Sequence, residues 1–115
     1  LSEVAEPPAQ MVDSLTTLFK TLKTVKRAFL CSIKESADAP ANLLIGIEAE
    51  GDIESIIQTT GSVATDTLPG DEPIDICQVV EGEKGISHFM IAHITPFYEK
   101  RWGSFLRDFK QNRII

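Results

Sequence analysis

Residues 26–50 read KRAFLCSIKESADAPANLLIGIEAE, and the two apolar runs at 26–34 and 42–50 set the architecture. Both runs are rich in aliphatic residues, and the first also holds an aromatic, which is typical of strands. The first run is largely apolar on both of its faces, which indicates a central strand of a sheet. Seven small or turn-forming residues, ESADAPA, separate the runs, and so short a connection favours an antiparallel hairpin.

Helical periodicity flanks this hairpin on both sides. Apolar residues recur at three- and four-residue steps, which predicts helices at about 8–24 and 52–68. Asp52 stands at the N-cap position of the second helix. The turn signal LPGDEP then precedes a third strand-like run at 74–80. Because a helix separates the second and third strands, we expect those two strands to be parallel.

The C-terminal third carries two shorter helical patterns, at about 86–94 and 102–112. The first of them is stopped by Thr95 and Pro96. The order is therefore α-β-β-α-β-α with a final helical pattern. This order predicts an α+β fold, with a small mixed or mostly antiparallel sheet of three to four strands covered by helices.

The length of 115 residues fits one domain. We expect a linker at 1–8, an α/β domain at 9–100 and a basic aromatic segment at 101–115. The chain begins with Leu1 rather than Met, which suggests a fragment of a longer protein. It contains no signal peptide and no apolar run near 18 residues, so we expect a cytoplasmic protein with no membrane partner.

Charge is distributed unevenly along the chain. The net charge of −6 disfavours a nucleic-acid-binding surface over the whole domain, since phosphate binding needs a positive field. Residues 97–115 carry five basic and two acidic residues, a net charge of +3, whereas the rest carries six basic and fifteen acidic residues, a net charge of −9. An acidic body with a basic end is the main oddity of the composition.

The sequence contains no motif for catalysis or for metal binding. His88 and His93 are five residues apart, whereas metal-binding pairs on a helix are separated by three or four residues. We expect one of them to face the core and the other to face solvent. The acidic cluster around Glu48 and Glu50 is interpreted as a solvated surface. We therefore predict a non-enzyme with no metal and no cofactor.

The two cysteines, Cys31 and Cys77, form neither a CxxC motif nor a zinc-site spacing. Both lie in predicted strands among aliphatic residues. Free cysteine commonly packs as a small, inert, buried hydrophobe, whereas a reactive thiolate needs a positive and partly exposed setting. A buried thiol is the favoured interpretation for each, and a reactive thiol is the alternative.

Aromatic residues are concentrated near the C-terminus, where five of the eight in the chain lie between positions 97 and 109. Aromatics together with arginine are enriched at protein interfaces. The segment either contacts another molecule or docks itself onto the sheet, and both roles are compatible. The candidate interaction residues are Phe97, Tyr98, Arg101, Trp102, Phe105 and Phe109.

Several stretches together resemble a known bacterial family. They are RAFLCSI, NLLIGIEAEGDIESI, TLPGDEPIDI and GISHFMIAHITPFYEK. From about Pro8 to Lys100, the chain is similar to the C-terminal domain of the enhanced serine sensitivity protein SseB, and the ending PFYEK is the most specific piece. The resemblance implies a two-domain cytoplasmic protein of uncharacterised activity, and it brings no catalytic residues with it. The segment 101–115 matches no motif of the family.

Two functional hypotheses follow. The first is a protein-interaction or assembly module, in which the segment 97–115 contacts another protein or a second copy of the chain. The second is a small-ligand sensor or a thiol carrier linked to serine or sulfur amino-acid metabolism, using Cys31 or Cys77. This second hypothesis combines the serine phenotype in the family name with the presence of two free thiols.

Overall fold

The computed structural model describes residues 2–4, 7–34, 36–39, 41–68 and 73–100. The helices are α1 (Ala9–Thr21), α2 (Ile53–Thr67) and α3 (Ile86–His93). The strands are β1 (Ser2–Glu3), β2 (Val25–Ile33), β3 (Asn42–Ala49), β4 (Ile74–Gln78) and β5 (Tyr98–Glu99). The helix predicted at 102–112 lies outside the described residues.

The strands form one mixed sheet, in the order β1-β2-β3-β4 with β5 also paired to β2. β2 and β3 are antiparallel, and β3 and β4 are parallel across the α2 crossover. The predicted α+β class and both strand pairings are therefore confirmed. The two-residue strands β1 and β5 were not predicted. Both pair with the outer edge of β2, β1 beside Cys31 and Ser32 and β5 beside Arg27 and Ala28.

Helices α1 and α2 cover one face of the sheet, which we call the helical face. Their buried residues recur at four-residue steps, so each helix presents one apolar stripe to the strands. The Asp52 carboxylate accepts a hydrogen bond of 3.2 Å from the Ser55 amide, which confirms the predicted N-cap of α2. The core of this face includes Met11, Leu15, Phe19, Ala28, Leu30, Ile45, Ile47, Ile56, Ala64 and Leu68.

Helix α3 covers the opposite face, which we call the thiol face. Its core consists of Phe29, Cys31, Leu44, Val79, Met90 and Ile94, with Cys77 packed at its margin. Gly46 permits close packing here, because a Cβ atom at this position would lie 2.2 Å from Met90 Sδ. The Met90 side chain fills the space that a larger residue at position 46 would occupy.

Candidate functional site

The aromatic residues that follow α3 are attached to the helical face. The rings of Phe97 and Tyr98 lie with their centroids 6.1 and 5.6 Å from that of the fully buried Phe19. The Tyr98 hydroxyl donates a hydrogen bond of 3.2 Å to the Phe19 carbonyl. Burial raises the pKa of the Tyr98 phenol above its ordinary value. Both aromatic side chains are half-buried and form part of the fold.

Backbone hydrogen bonds hold the same residues against β2. The Phe97 amide donates to the Ala28 carbonyl at 2.9 Å, and the Lys100 amide donates to the Lys26 carbonyl at 2.7 Å. The Lys100 ammonium also donates to the Lys23 carbonyl, just after the C-terminal end of α1, where a positive charge is favourable. The chain is therefore fixed to the body at both ends of the segment 97–100. The other four candidate interaction residues, Arg101, Trp102, Phe105 and Phe109, lie outside the described residues.

A surface groove of about 710 Å³ runs between α1 and the segment 97–100. It is lined by three of the seven lysines and arginines in the described ranges, but by one of their twelve acidic residues. Charge in the groove is thus opposite in sign to the charge of the chain as a whole. The residues lining this basic groove are Thr16, Lys20, Lys23, Phe97, Tyr98, Glu99 and Lys100.

The thiols lie on the other side of the sheet. Cys31 is fully buried and Cys77 is half-buried. They belong to strands separated by β3, and they pair with different residues of it, Cys31 with Leu44 and Cys77 with Gly46. Their Cα atoms are therefore more than roughly 9–10 Å apart, too far for a disulfide without backbone movement. Burial raises the pKa of both thiols. The charge of Cys77 raises the pKa of Cys31 further, and the charge of Asp75 raises the pKa of Cys77 further. A raised pKa lowers the thiolate fraction at neutral pH, so neither thiol is set up as a nucleophile.

An ion pair occupies one end of the thiol face. Arg27 donates to both carboxylate oxygens of Glu48, and its Nη2 lies 3.1 Å from Oε2. This hydrogen bond raises the pKa of the Arg27 guanidinium, which also lies 5.5 Å from the centre of the Phe29 ring. Glu48 is buried, so the expectation that it is solvated was wrong. The sequence could not reveal its partner, which lies across the hairpin.

Comparison with known proteins adds a family to this geometry. Residues 1–100 match the family described as the SseB protein C-terminal domain. The chain belongs to this family. It is 83% identical over 115 residues to Protein SseB of Escherichia coli (strain K12) and equally similar to Protein SseB of Shigella flexneri. All of the chain aligns, but it spans 45% of the length of each relative. No solved structure matches.

The remaining titratable residues of this SseB-family chain form no metal centre in the described ranges. His88 and His93 are both exposed, so the expectation that one would face the core was wrong. Within the same ranges, no three His, Cys, Asp or Glu side chains could hold a metal ion together. The described helices are also too short or too polar to cross a membrane.

Sequence reasoning placed Phe97 and Tyr98 in the candidate site of this SseB-family domain but missed Lys20 and Lys23. These lysines lie more than 70 positions earlier in the chain, on the polar side of a predicted helix. Their position opposite the apolar face of the helix predicts exposure, but it could not show that Lys100 would join them. The pairing of β5 with β2 brings the three lysines together.

Proposed function

We propose that this chain is a non-enzymatic protein-interaction or assembly module of an SseB protein, and that the segment 101–115 makes the contact. The observation that supports this proposal most is the attachment of residues 97–100 to α1 and β2. This attachment gives the following segment a fixed starting point on the body. A binding segment that starts from a fixed point loses less conformational freedom on binding than one that does not.

The composition of the segment suggests the kind of partner. It carries four basic residues and one acidic residue, together with Trp102, Phe105 and Phe109. Aromatic and arginine side chains dominate the energetics of many protein interfaces. The partner is therefore a protein, either another chain or a second copy, and a symmetric dimer is the commonest form of self-association. The compartment we propose is the cytoplasm, where both cysteines would remain free thiols.

Light scattering after size exclusion tests the proposal. The full chain is compared with a chain ending at Lys100, because ending it at Pro96 would remove two half-buried aromatic residues from the fold. We expect the shorter chain to lose either self-association or the capture of a partner protein that the full chain retains. A Trp102→Ala/Phe105→Ala/Phe109→Ala variant should lose the same association.

The matched control removes exposed apolar side chains elsewhere. Val80 and Ile86 are 36% and 40% exposed, and a Val80→Ala/Ile86→Ala variant should associate like the unaltered chain. The proposal is contradicted if the chain ending at Lys100 keeps both the oligomeric state and the captured partner of the full chain. It is also contradicted if the control variant loses association as completely as the aromatic variant does.

No observation favours the alternative of a thiol carrier or small-ligand sensor. A carrier would need an accessible thiolate, whereas burial raises the pKa of both thiols. The basic groove lies on the side of the sheet opposite the thiols. The interaction module is therefore the only function proposed.

A further inference from the structure

We infer that the basic groove binds an extended acidic peptide of a partner protein, lying alongside β5. This inference concerns the described body of the domain and does not depend on the segment 101–115. One wall of the groove is formed by the C-terminal end of α1, with Lys20, and the turn after it, with Lys23; the other wall is the segment 97–100. Three properties of these walls lead to the inference, all taken from the residues that the structure describes, namely the charge of Lys20 and Lys23, an aromatic surface and a strand edge.

The charge that a ligand would meet comes from Lys20 and Lys23. Neither Lys20 nor Lys23 forms an ion pair with any carboxylate among the residues that the structure describes. By contrast, Lys26 and Arg27 on the neighbouring strand are paired with Glu50 and Glu48. The cations of β2 are thus paired within the domain, whereas Lys20 and Lys23 line the groove. Carboxylates of a peptide would meet positive charge here and repulsion over most of the remaining surface, which favours one binding position.

The aromatic surface distinguishes the groove from a simple patch of lysines. Phe97 and Tyr98 are packed against Phe19 on one side and line the groove on the other. Their packing keeps the rings in place, so a ligand would not have to order them. Apolar side chains of a peptide would bury surface against these rings. The volume of about 710 Å³ lies within the rough range of 300–1,000 Å³ for ligand clefts.

The strand edge explains why the ligand would be extended. β5 pairs with β2 and with no other strand in the described part of the chain, so its outer edge can accept a further strand. Side chains of an extended peptide alternate between two sides. A peptide in which acidic and apolar residues alternate would therefore present carboxylates to Lys20 and Lys23 on one side. A nucleic acid suits the groove less well, because a chain of net charge −6 repels a dense polyanion.

Fluorescence anisotropy on the full chain tests this inference. The probe is a labelled eight-residue peptide in which acidic residues alternate with leucine and phenylalanine, and the control peptide has lysine at the acidic positions. We expect the acidic peptide to bind and the lysine peptide not to bind. A Lys20→Glu/Lys23→Glu variant should weaken binding by about tenfold or more, and added salt should weaken binding by the unaltered chain.

Lys34→Glu/Lys84→Glu is the matched control, since both lysines are exposed, lie outside the groove and give the same change in net charge. This variant should bind the acidic peptide within about threefold of the unaltered chain. Equal losses in the two variants would overturn the inference, because only net charge would then matter. Failure of the acidic peptide to bind would also overturn it. So would tighter binding of a single-stranded oligonucleotide, or self-association that alone depends on Lys20 and Lys23.

Discussion

The basic groove and the thiol face differ in what burial has done to their chemically distinctive residues. On the thiol face, Cys31 is buried beneath α3 in the core, and Cys77 is half-buried at the margin of that core. Around the groove, Phe97 and Tyr98 are also packed on the core, but the lysines beside them are exposed or half-buried. Cysteines suggested chemistry and aromatics suggested binding. The position of each group relative to the core favours binding over chemistry.

The largest effect is expected at the core residue that supports the groove. Phe19→Ala removes a fully buried ring that contacts both Phe97 and Tyr98, and it should lower the free energy of unfolding by about 3–5 kcal/mol. Urea denaturation measures this loss. Phe29→Ala is the matched control on the thiol face, where Phe29 is also fully buried. It should be similarly destabilising but leave peptide binding by the folded protein unchanged. Equal losses of peptide binding in Phe19→Ala and Phe29→Ala would contradict the difference between the groove and the thiol face.

The next effect tests how tightly the thiol face is closed. Gly46→Ala would place a Cβ atom 2.2 Å from Met90 Sδ and 2.6 Å from a Val79 methyl group. We expect it to lower the free energy of unfolding by about 1–3 kcal/mol. In a Met90→Ala background the same substitution should cost less, because the closest clash is gone. Purely additive losses in a double-mutant cycle would show that Met90 does not close this face.

The rate at which the two thiols are alkylated measures how accessible the thiol face is. Because burial raises the pKa of Cys31 and Cys77, both should react with iodoacetamide at pH 7 about tenfold or more slowly than a peptide thiol. Labelling should speed up as the pH rises above 9 and when the protein is unfolded in urea. Fast labelling of either thiol in the native protein would reopen the carrier hypothesis.

The smallest effect concerns the hydrogen bond between Tyr98 and Phe19. Tyr98→Phe should lower the free energy of unfolding by about 0.5–1 kcal/mol, because the Phe19 carbonyl also accepts the Leu22 amide at 3.1 Å and keeps a partner. The folded-state pKa of Tyr98 is raised, so its contribution is complete below the unfolded pKa near 10 and is lost as the pH rises through the folded value. Stability measured between pH 8 and 11 should therefore fall less in Tyr98→Phe than in the unaltered chain.

The parts of the fold that depend on local pattern could be predicted from the sequence. The strands at 26–34 and 42–50 and the helix capped by Asp52 follow from periodicity and turn residues, and they formed within a few residues of the expected bounds. β1 and β5 could not be predicted, because two-residue strands have no period and exist only through pairing with β2. The groove could not be predicted for the same reason, since the pairing of β5 with β2 brings residues near position 100 beside α1.

Residues 97–100 belong to the fold, whereas we propose that the segment 101–115 contacts a partner. Urea denaturation of three chains, ending at Pro96, Lys100 and Ile115, tests this difference most directly. We predict equal free energies of unfolding for the two longer chains and a loss of about 3 kcal/mol for the chain ending at Pro96, which lacks both Phe97 and Tyr98. A comparable loss between the chains ending at Ile115 and Lys100 would contradict the claim, because the segment 101–115 would then be holding the fold together.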